Sequence, residues 1–410
     1  MKRIIIALLL VSTSAFGQST EDLEKRLRDL EAKMANMAEV QREIDVLSQE
    51  IERLKAAPQK DVAQAPQQTF GLGVAASKVY RAEQGVSFGG YGEFTYRREQ
   101  GQPAMADTLR GVLYTGYKFS NRALFNSELE VEDASTEVGG NVNLEFAYLD
   151  YLLRPAANVR AGLMLVPMGL VNEQHEPTAY LASRRPLTEQ VIIPATWSEL
   201  GGGVFGESGR WSYRGYLMTG LKGTEFSGEE GLREGRQGGG NVIAQDLAGV
   251  ARVDFHPFEG TMFGGSLYSG HSGQGLAGAY QGHVGLGEIH ADSRFRGVTL
   301  RSLLARGTAR NVAHISTAAD PIGSSFGGWY VEGGYDIARF TPYARYERVD
   351  TQRRMDAGLV RNPENDRRIF TVGLSYKPIP QTVIKIDYEN VNNRARTGAD
   401  RVNVSLGYIF

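Results

Sequence analysis

Cysteine is absent from the 410-residue sequence, which excludes disulfide bonds, thiolate metal sites, iron–sulfur clusters and cysteine nucleophiles together. A basic surplus is also missing. The formal net charge is −2 and the pI is near 6.4, whereas nucleic-acid binding normally requires a concentrated basic face. Long apolar runs are scarce too: after the N-terminus the longest, Gly162 to Val171, is interrupted by Pro167. We therefore expect no nucleic-acid partner and no transmembrane helix.

The N-terminus has the pattern of an exported protein. Lys2 and Arg3 precede an apolar run from Ile4 to Val11, and small residues follow as far as Gly17. A basic start, a short apolar stretch and a small-residue cleavage site are typical of a secretory signal peptide, and the run is too short to cross a bilayer. We predict a signal peptide over 1–17, so the mature chain lies beyond the inner membrane.

A narrow apolar seam predicts a helix at the start of the mature chain. Its members recur at intervals of three or four residues, at Leu23, Leu27, Leu30, Met34, Met37, Val40, Ile44, Leu47, Ile51 and Leu54. Charged residues flank the seam on both sides, which favours a coiled coil between chains over a helix docked on its own domain. We predict a periplasmic coiled-coil helix over 18–57, and a linker over 58–83 because this stretch contains Pro58, Pro66 and several Gln.

From Val86 onwards the hydrophobic period is two, which indicates β-strands. In the strand that begins at Gln381, Ile384 and Ile386 share one face while Lys385 and Asp387 share the other. Sixteen such segments occur, at 86–97, 106–120, 122–134, 140–154, 157–168, 197–207, 210–222, 243–256, 260–271, 279–293, 296–308, 326–340, 341–351, 366–378, 381–393 and 399–410.

The connections between these segments alternate in length. Those after even-numbered strands are short, and those after odd-numbered strands are mostly long, such as 169–196. This alternation and the even strand count are typical of outer-membrane barrels with periplasmic termini. We predict an all-β fold, a sixteen-stranded antiparallel transmembrane β-barrel over 84–410 that follows a short N-terminal α-helical coiled coil. Parity changes near Ala147 and Gly287 predict β-bulges.

The last strand favours lipid, rather than a second sheet, as the partner of the apolar face. Val402, Val404, Leu406, Tyr408 and Phe410 share one side, and Phe410 is the final residue of the sequence. A terminal strand of alternating apolar residues with an aromatic end resembles the signal read by the outer-membrane barrel assembly machinery. We therefore assign Tyr408 and Phe410 as the assembly signal and outer-membrane lipid as a partner, rather than a soluble β protein that happens to end in Phe.

Several segments resemble the phosphate-selective porin O and P family. They are AASKVY at 75–80 with SFGGYGE at 87–93, LEFAYLDYLLRP at 144–155, VRAGLMLVPMGLVNEQHEP at 159–177, RRPLTEQVIIPATWSELG at 184–201, and the terminal strand. The resemblance covers most of the chain. It implies a porin in the outer membrane of a Gram-negative-type cell, a homotrimer with a water-filled channel for passive diffusion of small hydrophilic solutes or ions, anions such as phosphate among them.

In such porins the third external loop narrows the bore, and here that loop spans 169–196. We predict that it supplies the pore constriction through Asn172, Glu173, His175, Glu176, Arg184, Arg185 and Glu189. Opposed acids and bases across a constriction create a transverse field that tunes ion preference. The alternative is an ordinary solvated surface loop. A zinc helix at His175-Glu176 is rejected because Pro177 interrupts the helix and Ala179 occupies the position of the second His.

The polar face of the strands supplies the predicted pore wall, namely Arg97, Arg110, Arg160, Arg214, Arg252, Asp254, Arg345, Glu347, Lys385 and Asp387. A dedicated phosphate conduit would concentrate its bases in a ladder, whereas here bases alternate with acids. Arg184 and Arg185 remain candidates for forked binding of carboxylate or phosphate.

Enzyme motifs are incomplete. The stretch Gly270-His271-Ser272-Gly273 lacks the last Gly of G-x-S-x-G because Gln274 follows it. We expect no catalysis, no cofactor and no metal. The alternative to a porin is a structural tether or adhesin, in which the barrel anchors a coiled coil that binds the cell wall or a periplasmic partner.

Overall fold

The computed structural model describes residues 24, 25, 28, 69–133, 140–276 and 282–410. The chain divides into two units, Met1–Pro66 and Gln67–Phe410. In the first unit Glu24, Lys25 and Arg28 are helical. The predicted signal peptide and, apart from these residues, the predicted coiled coil lie outside the described residues. In the described part of the chain no helix is long and apolar enough to cross a bilayer.

The second unit contains a short helix and sixteen strands among its described residues. Their bounds are α1 (Lys78–Arg81), β1 (Gly85–Glu99), β2 (Met105–Lys118), β3 (Ala123–Glu132), β4 (Asn141–Arg154), β5 (Ala157–Leu165), β6 (Ser198–Ser208), β7 (Trp211–Thr219), β8 (Leu247–Phe258), β9 (Thr261–His271), β10 (His283–Phe295), β11 (Val298–Arg310), β12 (Ser325–Tyr335), β13 (Phe340–Arg354), β14 (Asp366–Ile379), β15 (Thr382–Asn393) and β16 (Arg401–Ile409). One π-helical turn, Thr188–Ile192, lies between β5 and β6.

The strands form one closed antiparallel barrel. Each strand pairs with its neighbours in sequence, and β1 closes the sheet on β16 from Tyr91↔Ile409 to Glu99↔Arg401. The prediction of an all-β, sixteen-stranded antiparallel barrel is confirmed. The connections also alternate in length as predicted: Glu259 and Gly260 alone join β8 to β9, whereas residues 166–197 join β5 to β6.

The alternation of apolar and polar residues places the two faces of each strand in different surroundings. On β15, Ile384 and Ile386 are 41% and 50% exposed on the outside, whereas Lys385 and Asp387 are 0% and 3% exposed on the inside. Large apolar side chains cover the outer face of most other strands in the same way. The outer surface therefore suits hydrocarbon, and the ionisable side chains face inward.

One of the two predicted β-bulges is present. The β3–β4 ladder shifts register where Glu128 pairs with Phe146 and Leu129 with Leu144, close to Ala147. The bulge predicted near Gly287 is wrong, because β10 keeps continuous register with both β9 and β11. Glycine has no side chain to mark a face, so the sequence pattern there resembles a change of parity.

The barrel interior holds a hydrophobic cluster in addition to its polar wall. Val166, Ile192, Ile193, Trp197 and Phe226 are 0% exposed and come from connections between strands or their borders. In an unobstructed aqueous bore, such side chains would be exposed to water. Their burial shows that the long connections pack against each other inside the barrel.

The orientation of the strands predicts a depth-dependent cost for charge on the outer face. Leu267, 69% exposed near the centre of β9, is expected to lower the free energy of unfolding by about 2–4 kcal/mol when replaced by Arg in lipid vesicles. His271, exposed at the loop end of the same strand, is the control, and His271→Arg should cost about 0–1 kcal/mol. Equal costs, measured by denaturant titration, would contradict a lipid-facing outer surface.

Candidate functional site

The loop over residues 169–196, here called the constriction loop, lies inside the barrel. Cationic side chains of four strands donate hydrogen bonds to its carbonyl oxygens: Arg110 of β2 to His175 at 3.2 Å, Arg252 of β8 to Gly169, Arg345 of β13 to Arg184 at 3.0 Å, and Lys385 of β15 to Ala182 at 3.0 Å. These strands occupy different sides of the closed sheet. The constriction loop therefore crosses the interior.

Asn172 and Glu189 tie the constriction loop together. Asn172 donates to the carbonyl of Val166 and accepts from the Trp197 amide, which joins the two ends of the loop. The Glu189 carboxylate accepts the amides of Leu170 and Val171, both at 2.7 Å, and the Tyr330 hydroxyl of β12 at 2.6 Å. Burial raises the pKa of Glu189, and these donated hydrogen bonds oppose the rise. Both side chains thus fix the shape of the loop.

Glu176 binds the segment over residues 69–83, here called the inner segment. Its carboxylate accepts the amides of Ala75 at 2.8 Å, Val74 at 3.0 Å and Ala76 at 3.3 Å. Val79 of α1 is 1% exposed. The predicted linker over 58–83 therefore includes a packed part from residue 69 onwards, which contacts the constriction loop through Glu176.

His175 connects the constriction loop to the wall. Its Nε2 lies 3.0 Å from Glu128 of β3, and its Nδ1 lies 2.8 Å from the carbonyl oxygen of Asn172. Burial disfavours the imidazolium, but the Glu128 carboxylate outweighs burial, so the pKa of His175 is raised above its ordinary value. Arg110 opposes this rise. A protonated His175 therefore forms an ion pair with the wall.

Glu173 joins a cluster of predicted wall residues. Its carboxylate lies 3.1 Å from Arg214 and 3.6 Å from Arg252. Both arginines also contact Asp254, at 3.2 Å and 2.8 Å. His290 of β10 extends the cluster and lies 3.0 Å from Asp254. The charged side chains on this side of the wall therefore pair mainly with one another and with the constriction loop.

Most of the other predicted wall residues also have polar partners within the protein. Nine of the ten are buried, namely Arg110, Arg160, Arg214, Arg252, Asp254, Arg345, Glu347, Lys385 and Asp387. Examples are Arg160 with Asp150 at 2.8 Å and Arg345 with Glu347 at 3.3 Å. Asp387 accepts the amide of Ser183 at 2.7 Å. A buried ion needs such partners because its desolvation is costly.

A cavity of about 280 Å³ lies beside the constriction loop, on the side of β1, β2 and β16. The charged residues in its lining are Arg97, Arg110, Arg184, Arg185, Arg233, Asp107 and Glu132. Arg110 is already bound to Glu93 at 2.8 Å. Arg184 forms a longer ion pair with Glu389, at 3.6 Å. Within the described residues, Nη2 of Arg185 has no hydrogen-bond partner. The cavity therefore carries a positive balance of charge.

The structure brings some predicted site residues together and separates others. Arg97, Arg184 and Arg185 line this cavity, whereas Asn172, Glu173, His175, Glu176 and Glu189 are buried in the packing that holds the constriction loop. Sequence reasoning missed Arg233 and Gln190 of the cavity lining. Arg233 follows β7 in a long connection, and no periodicity marks a loop residue that folds back over another loop.

Tyr408 and Phe410, the predicted assembly signal, lie on the outer face at the closing seam. Both are exposed, at 38% and 53%, and their ring centroids are 6.4 Å apart. The backbone of Phe410 exchanges hydrogen bonds with Gly90 of β1 at 2.9 and 3.0 Å. Phe410 therefore takes part in closing the barrel.

The contacts of Glu176 predict the behaviour of the inner segment. In Glu176→Gln only one acceptor oxygen remains for the amides of residues 74–76, so their hydrogen exchange should accelerate about tenfold or more. Glu225→Gln is the control, because Glu225 pairs with Lys222 on the surface. Exchange–mass spectrometry measures both variants, and equal protection in both would show that Glu176 does not hold the segment.

The raised pKa of His175 predicts a pH dependence. Because the folded state favours the protonated ring, the stabilisation is complete below the ordinary pKa of 6.5 and is lost as pH rises through the raised value. The unfolding free energy of the unaltered chain should therefore decline more over this rise than that of His175→Gln. Parallel pH slopes in denaturant titrations would contradict the ion pair with Glu128.

Comparisons with known proteins identify a relative and several structural neighbours. An uncharacterised protein of Aquifex aeolicus (strain VF5) is 33% identical over 365 residues, which are 83% of this chain and 83% of that protein. No protein-family model matches the chain.

Among solved structures, the outer membrane channel DcaP of Acinetobacter baumannii aligns with a TM-score of 0.56 and 12% identity, over 79% of this chain and 97% of that one. Salmonella typhi OmpF, in complex with daunomycin, aligns with a TM-score of 0.52 and 13% identity, over 79% of this chain and 97% of that one. Vibrio cholerae OmpT in its trimer form aligns with a TM-score of 0.52 and 10% identity, over 80% of this chain and 100% of that one. At these identities the similarity shows a shared fold. The chain belongs to the family of the Aquifex aeolicus protein, and its fold is that of the sixteen-stranded outer-membrane porins.

Proposed function

We propose that this protein is an outer-membrane channel for passive diffusion of small hydrophilic solutes, with a preference for anions. The observation that carries the proposal is the cavity beside the constriction loop, inside a barrel with an apolar outer face. Arg97, Arg184, Arg185 and Arg233 contribute positive charge to it against Asp107 and Glu132. Fixed charge lining a narrow passage sets ion preference.

Anions such as phosphate are the proposed permeant solutes. Arginine binds phosphate and carboxylate through two parallel hydrogen bonds, and both Arg184 and Arg185 line the cavity. The resemblance to the phosphate-selective porin O and P family supports the same solutes. The pairing of most wall arginines with acids argues against a continuous arginine ladder, so we propose a general anion preference.

Location and assembly follow from the same proposal. The barrel lies in the outer membrane, the N-terminal helix lies in the periplasm, and the barrel assembly machinery recognises Tyr408 and Phe410. We propose a homotrimer, which the predicted coiled coil over 18–57 would reinforce; a trimer form among the structural neighbours is consistent with it. Diffusion requires no catalysis, cofactor or metal.

One observation favours the tether as a second candidate function. The constriction loop and the inner segment pack inside the barrel, with Trp197 and Leu72 almost fully buried. A barrel closed by this packing would serve as an anchor. Recording from planar bilayers separates the two functions, because a channel gives conductance steps and an anchor gives none.

The charges of the cavity predict a change in selectivity. Arg184→Gln with Arg185→Gln should lower the anion-to-cation permeability ratio roughly fivefold, since a unit charge about 4 Å away contributes about 1 kcal/mol even at the dielectric constant of water. Arg122→Gln with Arg210→Gln is the matched control, because both arginines are exposed outside the barrel strands. Reversal potentials in a salt gradient measure the ratio, and identical values for both double variants would place the arginines outside the ion path.

A further inference from the structure

Two histidines lie side by side on the outer surface of the barrel, at the loop end of β9 and β10. His271 and His283 are directly opposite one another in the β9–β10 ladder. They share the outward parity of Leu267 on β9 and Ile289 on β10. Directly opposite residues of an antiparallel pair have Cβ atoms about 4.5–5.5 Å apart. The ladder therefore holds two imidazole rings next to each other, outside the cavity and the packed interior.

The separation of the two rings fits a shared metal ion. The ring centroids of His271 and His283 are 5.3 Å apart, and the ring planes meet at 76°. An ion such as Zn²⁺ lies about 2.0–2.1 Å from an imidazole nitrogen, and hence about 3.2 Å from the ring centroid. Two imidazoles at a tetrahedral angle around one ion then have centroids about 5.2 Å apart. The strands therefore already hold the rings at the separation that chelation requires.

A hydroxyl group next to the pair orients one of the rings. Ser269, also outward on β9, has its Oγ 3.2 Å from Nε2 of His283. When Nε2 donates this hydrogen bond, the lone pair of the ring is on Nδ1, which is then the nitrogen that binds a metal. Histidines that bind metals usually donate their other N–H to an oxygen acceptor, which fixes the tautomer. Ser269 is therefore the positioning residue of the pair.

The surroundings of the pair leave the other coordination positions to water. His271 and Ser269 are exposed, and Gly285, opposite Ser269, adds no side chain. Within the described part of the chain, no group of three or more His, Cys, Asp or Glu side chains is placed to hold a metal ion. Arg310 of β11 is opposite His283 on the other side, and its charge opposes a bound cation. The two imidazoles must therefore supply the affinity together.

The geometry points to a site in which His271 and His283 chelate one divalent transition-metal ion on the outer surface of the barrel. Imidazole suits Zn²⁺, Ni²⁺ and Cu²⁺, whereas Mg²⁺ and Ca²⁺ prefer oxygen ligands. No short sequence motif predicts this site, because the pairing of β9 with β10 brings the two histidines together. The site lies outside the proposed solute path and does not require conduction.

Calorimetric titration with ZnCl₂ tests the site. The mature chain, without an affinity tag, is titrated in phosphatidylcholine nanodiscs, and empty nanodiscs provide the blank. The test variants are His271→Gln and His283→Gln, made singly so that one remains if the other fails to insert. The matched control is His256→Gln, because His256 is an exposed histidine at the opposite, turn end of β8. A parallel titration with CaCl₂ tests the preference for nitrogen ligands.

We expect the unaltered chain and the control to bind one Zn²⁺ per chain and to bind Ca²⁺ at least about tenfold more weakly. Either test variant should bind Zn²⁺ about tenfold more weakly or less, because the second ligand of a chelate is held at a high effective concentration. Equal Zn²⁺ affinity in a test variant and in the control would overturn the inference. So would half an ion per chain, which would mean that the metal bridges two copies.

The role of Ser269 has its own readout. With Cu²⁺ bound, electron spin-echo modulation from the ring nitrogen remote from the metal reports the hydrogen bond of that nitrogen. We expect this modulation to change in Ser269→Ala, while the two imidazole ligands remain. An unchanged signal would overturn the positioning role of Ser269.

Discussion

The constraint on which the structure depends is that hydrocarbon offers no hydrogen bonds. Every backbone group inside a bilayer must be paired within the protein, which a closed sheet achieves because it has no edge. The pairing of β1 with β16 completes this closure. Closure then sorts the side chains: apolar residues such as Ile386 face outward, and ionisable residues such as Lys385 face inward.

The sorting creates a second requirement inside the barrel. Charges brought together in a confined space need partners, and the constriction loop supplies many of them. Its carboxylates bind wall arginines, as Glu173 does with Arg214, and its carbonyl oxygens accept hydrogen bonds from Arg345 and Lys385. The loop is therefore held by the charges that a simple porin wall would present to water. We propose that ion preference depends on the few arginines around the cavity.

The barrel was predictable from the sequence because its determinants are local. A period of two over a few residues reveals which side of β15 is apolar, and connection lengths reveal the order of the strands. The role of Glu176 was not predictable, because its partners lie about a hundred residues away in a segment that resembles a linker. Arg184 and Arg185 were identified by their charge, whereas Arg233 reaches the same cavity through loop packing that no sequence period records.

A single-channel recording of the mature chain in planar bilayers, under a salt gradient, tests the central claim most directly. We predict stable conductance steps with a reversal potential of the sign that anion flow produces. Insertion of the barrel without any conductance steps would contradict a continuous water-filled passage and would favour an anchoring role. A reversal potential of the cation sign would contradict the assignment of the cavity as the selective part of the path.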